Sequence, residues 1–188
     1  MDPINGDDTN NVLDGTDGDD IINGLGGDDI INSSLGADAI DGGEGFDAVD
    51  YSASNAAIRV PSGSLNLTGG HAEGDVLTSV ETLIGSAFDD SFRTTSFAQF
   101  GLETIRAGQG NDAFFIDQAN VSLFGEADDD LFTLNVETTD FFSGVLDGGE
   151  GNDRLEIGGF ASNPNFEDFR DATLTGFEIL DLLGNVDS

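Results

Sequence analysis

Aspartate recurs at a spacing of nine in the first quarter of the chain: Asp20, Asp29, Asp38 and Asp47, with Asn11 one step earlier. Such a column is a set of hard oxygen donors. Two carboxylates about 5 Å apart repel by about 1 kcal/mol in water and about 3 kcal/mol at a half-buried surface. A fold that stacks them needs positive charge between them. The chain offers five arginines and no lysine against 38 acidic side chains, a formal net charge of −33 over 188 residues. A bound cation is the natural counter-charge. The donors are carboxylate and carbonyl oxygens, with no cysteine and one histidine. That set suits Ca²⁺, which takes six to eight oxygens at about 2.3–2.6 Å, better than Mg²⁺, which keeps its waters.

The residues around the aspartates say what positions them. From Gly15 to Asp50 the chain reads GTDGDDIIN, GLGGDDIIN, SSLGADAID, GGEGFDAVD. The fourth position is always glycine (Gly18, Gly27, Gly36, Gly45), the sixth aspartate, the eighth aliphatic (Ile22, Ile31, Ile40, Val49) and the ninth Asn or Asp. A degenerate block, GDDTNNVLD, precedes them from Gly6. Frequent glycine is poor material for helix or long strand and is used where φ is positive or backbone crowds something. The first six residues of each block therefore form a turn, and the last three a short strand with one side chain inward. Two blocks make one coil, and coils stack as parallel strands about 4.8 Å apart. Stacking puts Asn11, Asp29 and Asp47 on one edge, and Asp20 and Asp38 on the other. Glycine carbonyls of the same turns (Gly15, Gly18, Gly24, Gly27, Gly36, Gly42, Gly45) complete the expected ligand set.

The blocks Gly42–Asp50, GGEGFDAVD, and Gly148–Glu156, GGEGNDRLE, match every fixed position of G-G-x-G-x-D-x-U-x. They resemble the Ca²⁺-binding nonapeptide of the RTX (repeats-in-toxin, hemolysin-type) family. That resemblance implies an all-β fold, a right-handed parallel β-roll or β-solenoid with several Ca²⁺ ions between the turns. It also implies a secreted, extracellular bacterial protein exported by a type I system.

The charge excludes nucleic acid as a direct partner and argues against docking on an anionic membrane. High net charge with modest hydrophobicity is otherwise a signature of disorder. The chain is thus expected to be largely unfolded without Ca²⁺ and folded with it; an ion at about 100 times its Kd adds about 2.7 kcal/mol per site. Without cysteine there are no disulfides, so calcium would do the stapling. No window reads as a signal peptide or membrane span, and the ending LLGNVDS suggests a piece of a larger polypeptide.

Four regions are expected, forming one solenoid: a regular roll over 1–50, connecting coils with longer turns over 51–106, an imperfect second array over 107–156, and a capping or continuing coil over 157–188. In the connector, Ile58-Arg59-Val60 and Leu65-Asn66-Leu67 read as strands continuing the sheet. GSAFDDSFR restores the phase with Asp90 sixth and Phe92 eighth. Val80-Glu81-Thr82-Leu83, Leu102-Glu103-Thr104-Ile105 and Phe177-Glu178-Ile179-Leu180 share one form, read either as coil strands with the glutamate outside or as ordinary alternation. In the second array Gly110 and Asp112, Asp130, and Gly148, Gly151 and Asp153 fit the motif, whereas Asp128 stands where the fourth glycine belongs, which puts that turn in question. All but one of the 15 phenylalanines follow residue 85, so the second half should have the larger core and lean less on calcium. Phe166, Phe169, Leu174, Phe177, Leu180 and Leu182 are candidates to cover the end of the stack.

Other chemistry finds little footing. No Asp-x-Asp-x-Asp-Gly loop carries the glutamate an EF-hand needs. His71 sits in a glycine-rich turn and reads as exposed, with no nucleophile motif near it. No pair among 38 acids stands out as a glycosidase dyad, and tryptophan is absent. The arginines should bridge acidic edges. The expected role is non-enzymatic: a calcium-triggered structural module supporting secretion and stiffening of an exported protein. An adhesion or surface-layer module engaging a cell-surface or polysaccharide partner, and the tail of a secreted hydrolase or protease, remain alternatives.

Overall fold

The computed structural model describes residues 3–62, 66–94, 101–117, 120–135, 143–158 and 172–183. The nonapeptide blocks give three-residue strands at their ends: β1 (Ile4–Asn5), β2 (Val12–Asp14), β3 (Ile21–Asn23), β4 (Ile30–Asn32), β5 (Ala39–Asp41) and β6 (Ala48–Asp50). The eighth residue points inward and the seventh outward, as strand alternation requires. Ile22, Ile31, Ile40 and Val49 are buried, whereas Ile21 and Ile30 are exposed.

The chain continues through β7 (Arg59–Val60), β8 (Val76–Thr78), β9 (Thr82–Ile84) and β10 (Ser91–Arg93). Longer strands follow: β11 (Thr104–Gly108), β12 (Ala113–Ile116), β13 (Val121–Ala127), β14 (Leu131–Asn135), β15 (Gly144–Glu150), β16 (Arg154–Gly158), β17 (Ala172–Thr175) and β18 (Ile179–Leu183). Every pairing between named strands is parallel. One face is an eight-stranded sheet, β2-β4-β6-β9-β11-β13-β15-β17; opposite it lie β1-β3-β5-β8 and β7-β10-β12-β14-β16-β18. Inward side chains stack in register: Leu13, Ile31, Val49, Leu83, Ile105, Leu123 and Leu146 along the first face. The fold is a parallel β-roll.

The gap in the second face is closed by a device the sequence did not announce. Asn66 bridges Val76 and Thr68 bridges Arg59, both antiparallel. The segment around buried Leu67 thus links β8 to β7 running against the other strands, which corrects the expectation that it simply continues the sheet. Leu65 falls outside the described residues.

The aromatic core of the second half is as expected. Phe92, Phe114 and Phe132 are fully buried and stack at 5.3 and 4.3 Å between ring centroids, and Phe177 meets Phe132 edge-on at 5.0 Å. Leu174, Leu180 and Leu182 belong to β17 and β18, the last coil itself, and remain exposed; Phe166 and Phe169 fall outside the described residues.

Candidate metal centre

The sixth-position aspartates do not form a solvated face. Asp20, Asp29, Asp38, Asp47, Asp90, Asp112, Asp130 and Asp153 are all at most 3% exposed. A buried carboxylate needs hydrogen bonds or a counter-charge, and the stack supplies the first. In all but Asp20 one oxygen accepts the backbone N–H of the corresponding residue one coil earlier. Asp20 N–H donates to Asp38 Oδ1, and Asp29 N–H to Asp47 Oδ1. Asp90, Asp112 and Asp130 N–H donate in turn to Asp112, Asp130 and Asp153 Oδ1, at 2.7–2.8 Å. Asn11 N–H donates to Asp29 Oδ1, and Ile58 N–H to Asp90 Oδ1.

Three acids that the repeat pattern did not single out stand in the same ladder. Asp75, fully buried, accepts Asp38 N–H although the two are 37 residues apart. Glu81 accepts Asp47 N–H and Glu178 accepts Asp153 N–H. The glutamates of the apolar-Glu-x-apolar segments therefore hold the sixth position, and their longer side chains reach the same donor. Glu103 stacks over Glu81 through backbone bonds and is exposed. A signal existed: Asp75, Glu81 and Glu103 each stand two residues before a buried aliphatic side chain (Leu77, Leu83 and Ile105). A second ladder of fifth-position residues, running the other way, was also missed. Phe46 N–H donates to Asp28, Asp129 N–H to Asn111 and Asn152 N–H to Asp129.

The second carboxylate oxygens are different. Oδ2 of Asp29, Asp47, Asp112, Asp130 and Asp153 is buried with no partner. Four of the five carboxylates lie beside the first-position glycine of their turn, where a carbonyl from the next coil also arrives; in the Asp112 turn that position is Ala107. A Cβ built on Gly24 comes within 3.0 Å of both Asp29 Oδ2 and the Gly42 carbonyl oxygen. The same pairing recurs with the Ser79 carbonyl over Gly42 and Asp47, the Gly148 carbonyl over Gly125 and Asp130, and the Gly176 carbonyl over Gly148 and Asp153. At these four positions glycine is thus required by close approach of oxygens. Fourth-position Gly27, Gly36, Gly45, Gly110 and Gly151 take positive φ, and Gly18 does not. Asp128 resolves the question over its turn by adopting φ 77° itself, a conformation Asp tolerates better than most residues.

Burial and neighbouring carboxylates raise six of the ladder acids. Asp112 is pushed up to about 8 and Asp130 to about 7, burial being the larger cause in both. Asp38, Asp47, Asp90 and Asp153 are raised in the same way. Such acids must keep a proton or find a cation. Oxygen pairs that a single Cβ would fill, in a site without nitrogen or sulfur, fit Ca²⁺ by donor type. Among the described residues no three or more Asp, Glu, His or Cys side chains converge on one point, so backbone carbonyls must supply much of any coordination.

Elsewhere, Arg93 pairs with Asp117, Arg106 with Glu126, and Arg154 with Glu156 and Asp181, as expected of bridges along acidic edges. His71 is half-buried rather than exposed. It lies in the 3-10 turn Gly70–Ala72, its N–H donates to Ser54 Oγ, and its Nδ1 is buried without a partner. No helix among the described residues is long and apolar enough to cross a membrane.

The family model described as "RTX calcium-binding nonapeptide repeat (4 copies)" matches residues 5–40, 14–49 and 145–160. No curated protein matches the chain. The turns carrying the oxygen pairs at Asp29 and Asp153 fall inside the matched residues, which are therefore RTX calcium-binding repeats.

Proposed function

We propose that this RTX-repeat chain is a structural module of a larger exported protein, and that extracellular Ca²⁺ triggers its folding. The observation that carries the reading is the set of buried, unpartnered Oδ2 atoms, with a carbonyl from the next coil beside the carboxylate in the Asp29, Asp47, Asp130 and Asp153 turns. Bound Ca²⁺ supplies the counter-charge these oxygens lack. The rest falls to the chain itself. Oδ1 of Asp29, Asp38, Asp47, Asp90, Asp112, Asp130 and Asp153 holds the preceding coil's N–H, first-position glycine, where the turn has one, leaves the space, and the strand after the turn buries its inward side chains.

Without that counter-charge the chain carries −33 against itself. In a calcium-poor bacterial interior this keeps it open for export, and outside the cell the coils close into a stiff roll. Secretion by a type I route follows from the family resemblance and belongs to the proposal. The role is non-catalytic.

Small-angle scattering of the chain in chelator and in Ca²⁺ tests the switch. The reading expects an expanded chain in chelator and a compact elongated particle in Ca²⁺. Identical compact particles in both conditions would end the proposal of calcium-triggered folding.

A further inference from the structure

The ladder acids fall into two kinds, and one residue of the turn separates them. In the five turns where Oδ2 is unpartnered, the second residue of the turn has left-handed φ: Leu25 79°, Gly43 105°, Gly108 108°, Glu126 77° and Gly149 105°. Leu25 and Glu126 adopt it despite their side chains, at a cost of about 1–2 kcal/mol. In the remaining turns the second residue has no such φ and closes the carboxylate from within. Thr16 donates both N–H and Oγ1–H to Asp20 Oδ2, at 2.7 and 2.8 Å. Ser86 donates its N–H to Asp90 Oδ2 and its hydroxyl to Oδ1, at 2.7 and 2.6 Å. Ser34 Oγ reaches Asp38 Oδ2 at 3.4 Å, and Asp7 N–H donates to Asn11 Oδ1 at 2.7 Å.

Space differs only at Asp20, where Gly15 faces the Ser34 hydroxyl, which stands between the coils; Gly6 and Gly85, in the Asn11 and Asp90 turns, face a side-chain oxygen and a carbonyl of the next coil as Gly24 does, so it is the donors of the second residue and not the space that separate the two kinds. Asp75, outside any nonapeptide, is closed by a different hydroxyl: Tyr51, fully buried, donates to its Oδ2 at 2.8 Å.

We infer that the second residue of each turn decides whether that turn takes a cation. A left-handed second residue leaves Oδ2 open, and Ser or Thr there replaces the ion with its own donors. A carboxylate already accepting an N–H and an O–H has its charge compensated, and the positive ends of those donors face the position a cation would occupy. This inference rests on the calcium reading above. It places ions at Asp29, Asp47, Asp112, Asp130 and Asp153, and none at Asn11, Asp20, Asp38, Asp75 or Asp90. The ion-bearing edge therefore changes along the roll. In the first half it is the edge of Asn11, Asp29 and Asp47; in the second it is the edge that continues Asp20 and Asp38.

The test counts bound calcium on the full chain by equilibrium dialysis and atomic absorption, with far-UV circular dichroism confirming folding at saturating Ca²⁺. D112N and D153N should each lower the count by one. D20N and D90N, isosteric with the residues they replace, should leave it unchanged. S86G, which removes the closing hydroxyl and frees the turn to become left-handed, should raise it by one. Loss of an ion in D20N or D90N, or an unchanged count in a folded S86G, would overturn the inference while leaving the calcium reading intact. A wild-type chain that binds no calcium would sink the reading itself, and this inference with it.

Discussion

Asp29 and Asp47 share one half of a bond and lack the other. The N–H of Asp29 donates to Asp47 Oδ1 at 2.8 Å, while Asp47 Oδ2, equally buried, has no partner. The first relation aligns successive coils and needs no ion. The second leaves a negative oxygen uncompensated in the interior, beside the Ser79 carbonyl. On the proposed reading one carboxylate carries both tasks, which couples folding to cation binding.

The two tasks can be separated by substitution. Asp47→Asn keeps the Oδ1 acceptor and should fold, losing one ion, or about 2.7 kcal/mol when Ca²⁺ is at about 100 times Kd. Asp47→Ala also orphans the Asp29 N–H, which adds about 1–3 kcal/mol. Urea denaturation at fixed Ca²⁺ should rank the variants in that order. Equal loss in both would mean that the hydrogen-bond ladder contributes nothing.

Two glycines in one block should fail for different reasons. Gly24→Ala puts a methyl group between the Asp29 carboxylate and the Gly42 carbonyl. Gly27→Ala is strained by φ 97° and meets the backbone of Thr9 and Asn10. Both should raise the Ca²⁺ midpoint for folding about as much as Asp29→Ala does. Only Gly24→Ala should also lower the number of ions bound at saturation.

Acid should substitute partly for calcium. Asp75 and Asp130 at about 7, and Asp112 at about 8, lie above the unfolded carboxylate value of about 3.9. The metal-free fold thus holds protons the unfolded chain has released. Their contribution is complete below about pH 4 and is lost as pH rises through about 7 to 8. Chelated protein should therefore gain β-structure, followed by circular dichroism, on going from pH 8 to pH 5. D112N, a neutral mimic, should stabilise the chelated fold at pH 8. A chelated chain equally folded at both pH values would contradict this.

The second half should hold its structure to lower calcium than the first. Each strand of the first array buries one aliphatic side chain, whereas β12 and β14 bury Phe114 with Ile116 and Phe132 with Leu134. Hydrogen exchange during Ca²⁺ withdrawal should expose residues 12–50 before 104–134. Phe114→Ala, costing about 3–5 kcal/mol, should abolish the difference; simultaneous exposure of both halves in the wild type would remove it from the account.

Much of this was legible in the residues. The nine-residue spacing of Asp20, Asp29, Asp38 and Asp47 dictated two-block coils, and the register Ile4-Ile22-Ile40 confirms an 18-residue step. Where the step changes, the pattern gave less. Asp75 lies 37 residues beyond Asp38, so no period pointed to it, and only its place two residues before Leu77 marked it. The antiparallel link at Asn66 and Thr68 pairs over short range and carries no repeat. The division between open and closed turns depends on the backbone at Leu25 and Glu126, where the side chain gives no hint of positive φ. Thr16 and Ser86 were visible as hydroxyl residues, but their aim at Asp20 and Asp90 is a property of the folded turn.

Buried carboxylate oxygens, on the proposed reading, make this fold conditional on calcium. A Ca²⁺ titration followed by far-UV circular dichroism, with Mg²⁺ and NaCl in parallel, tests it most directly. The account predicts a cooperative coil-to-β transition in Ca²⁺ at neutral pH, absent in Mg²⁺ and in NaCl of equal ionic strength. A chain already β-structured in chelator at neutral pH, or folded by NaCl alone, would contradict it.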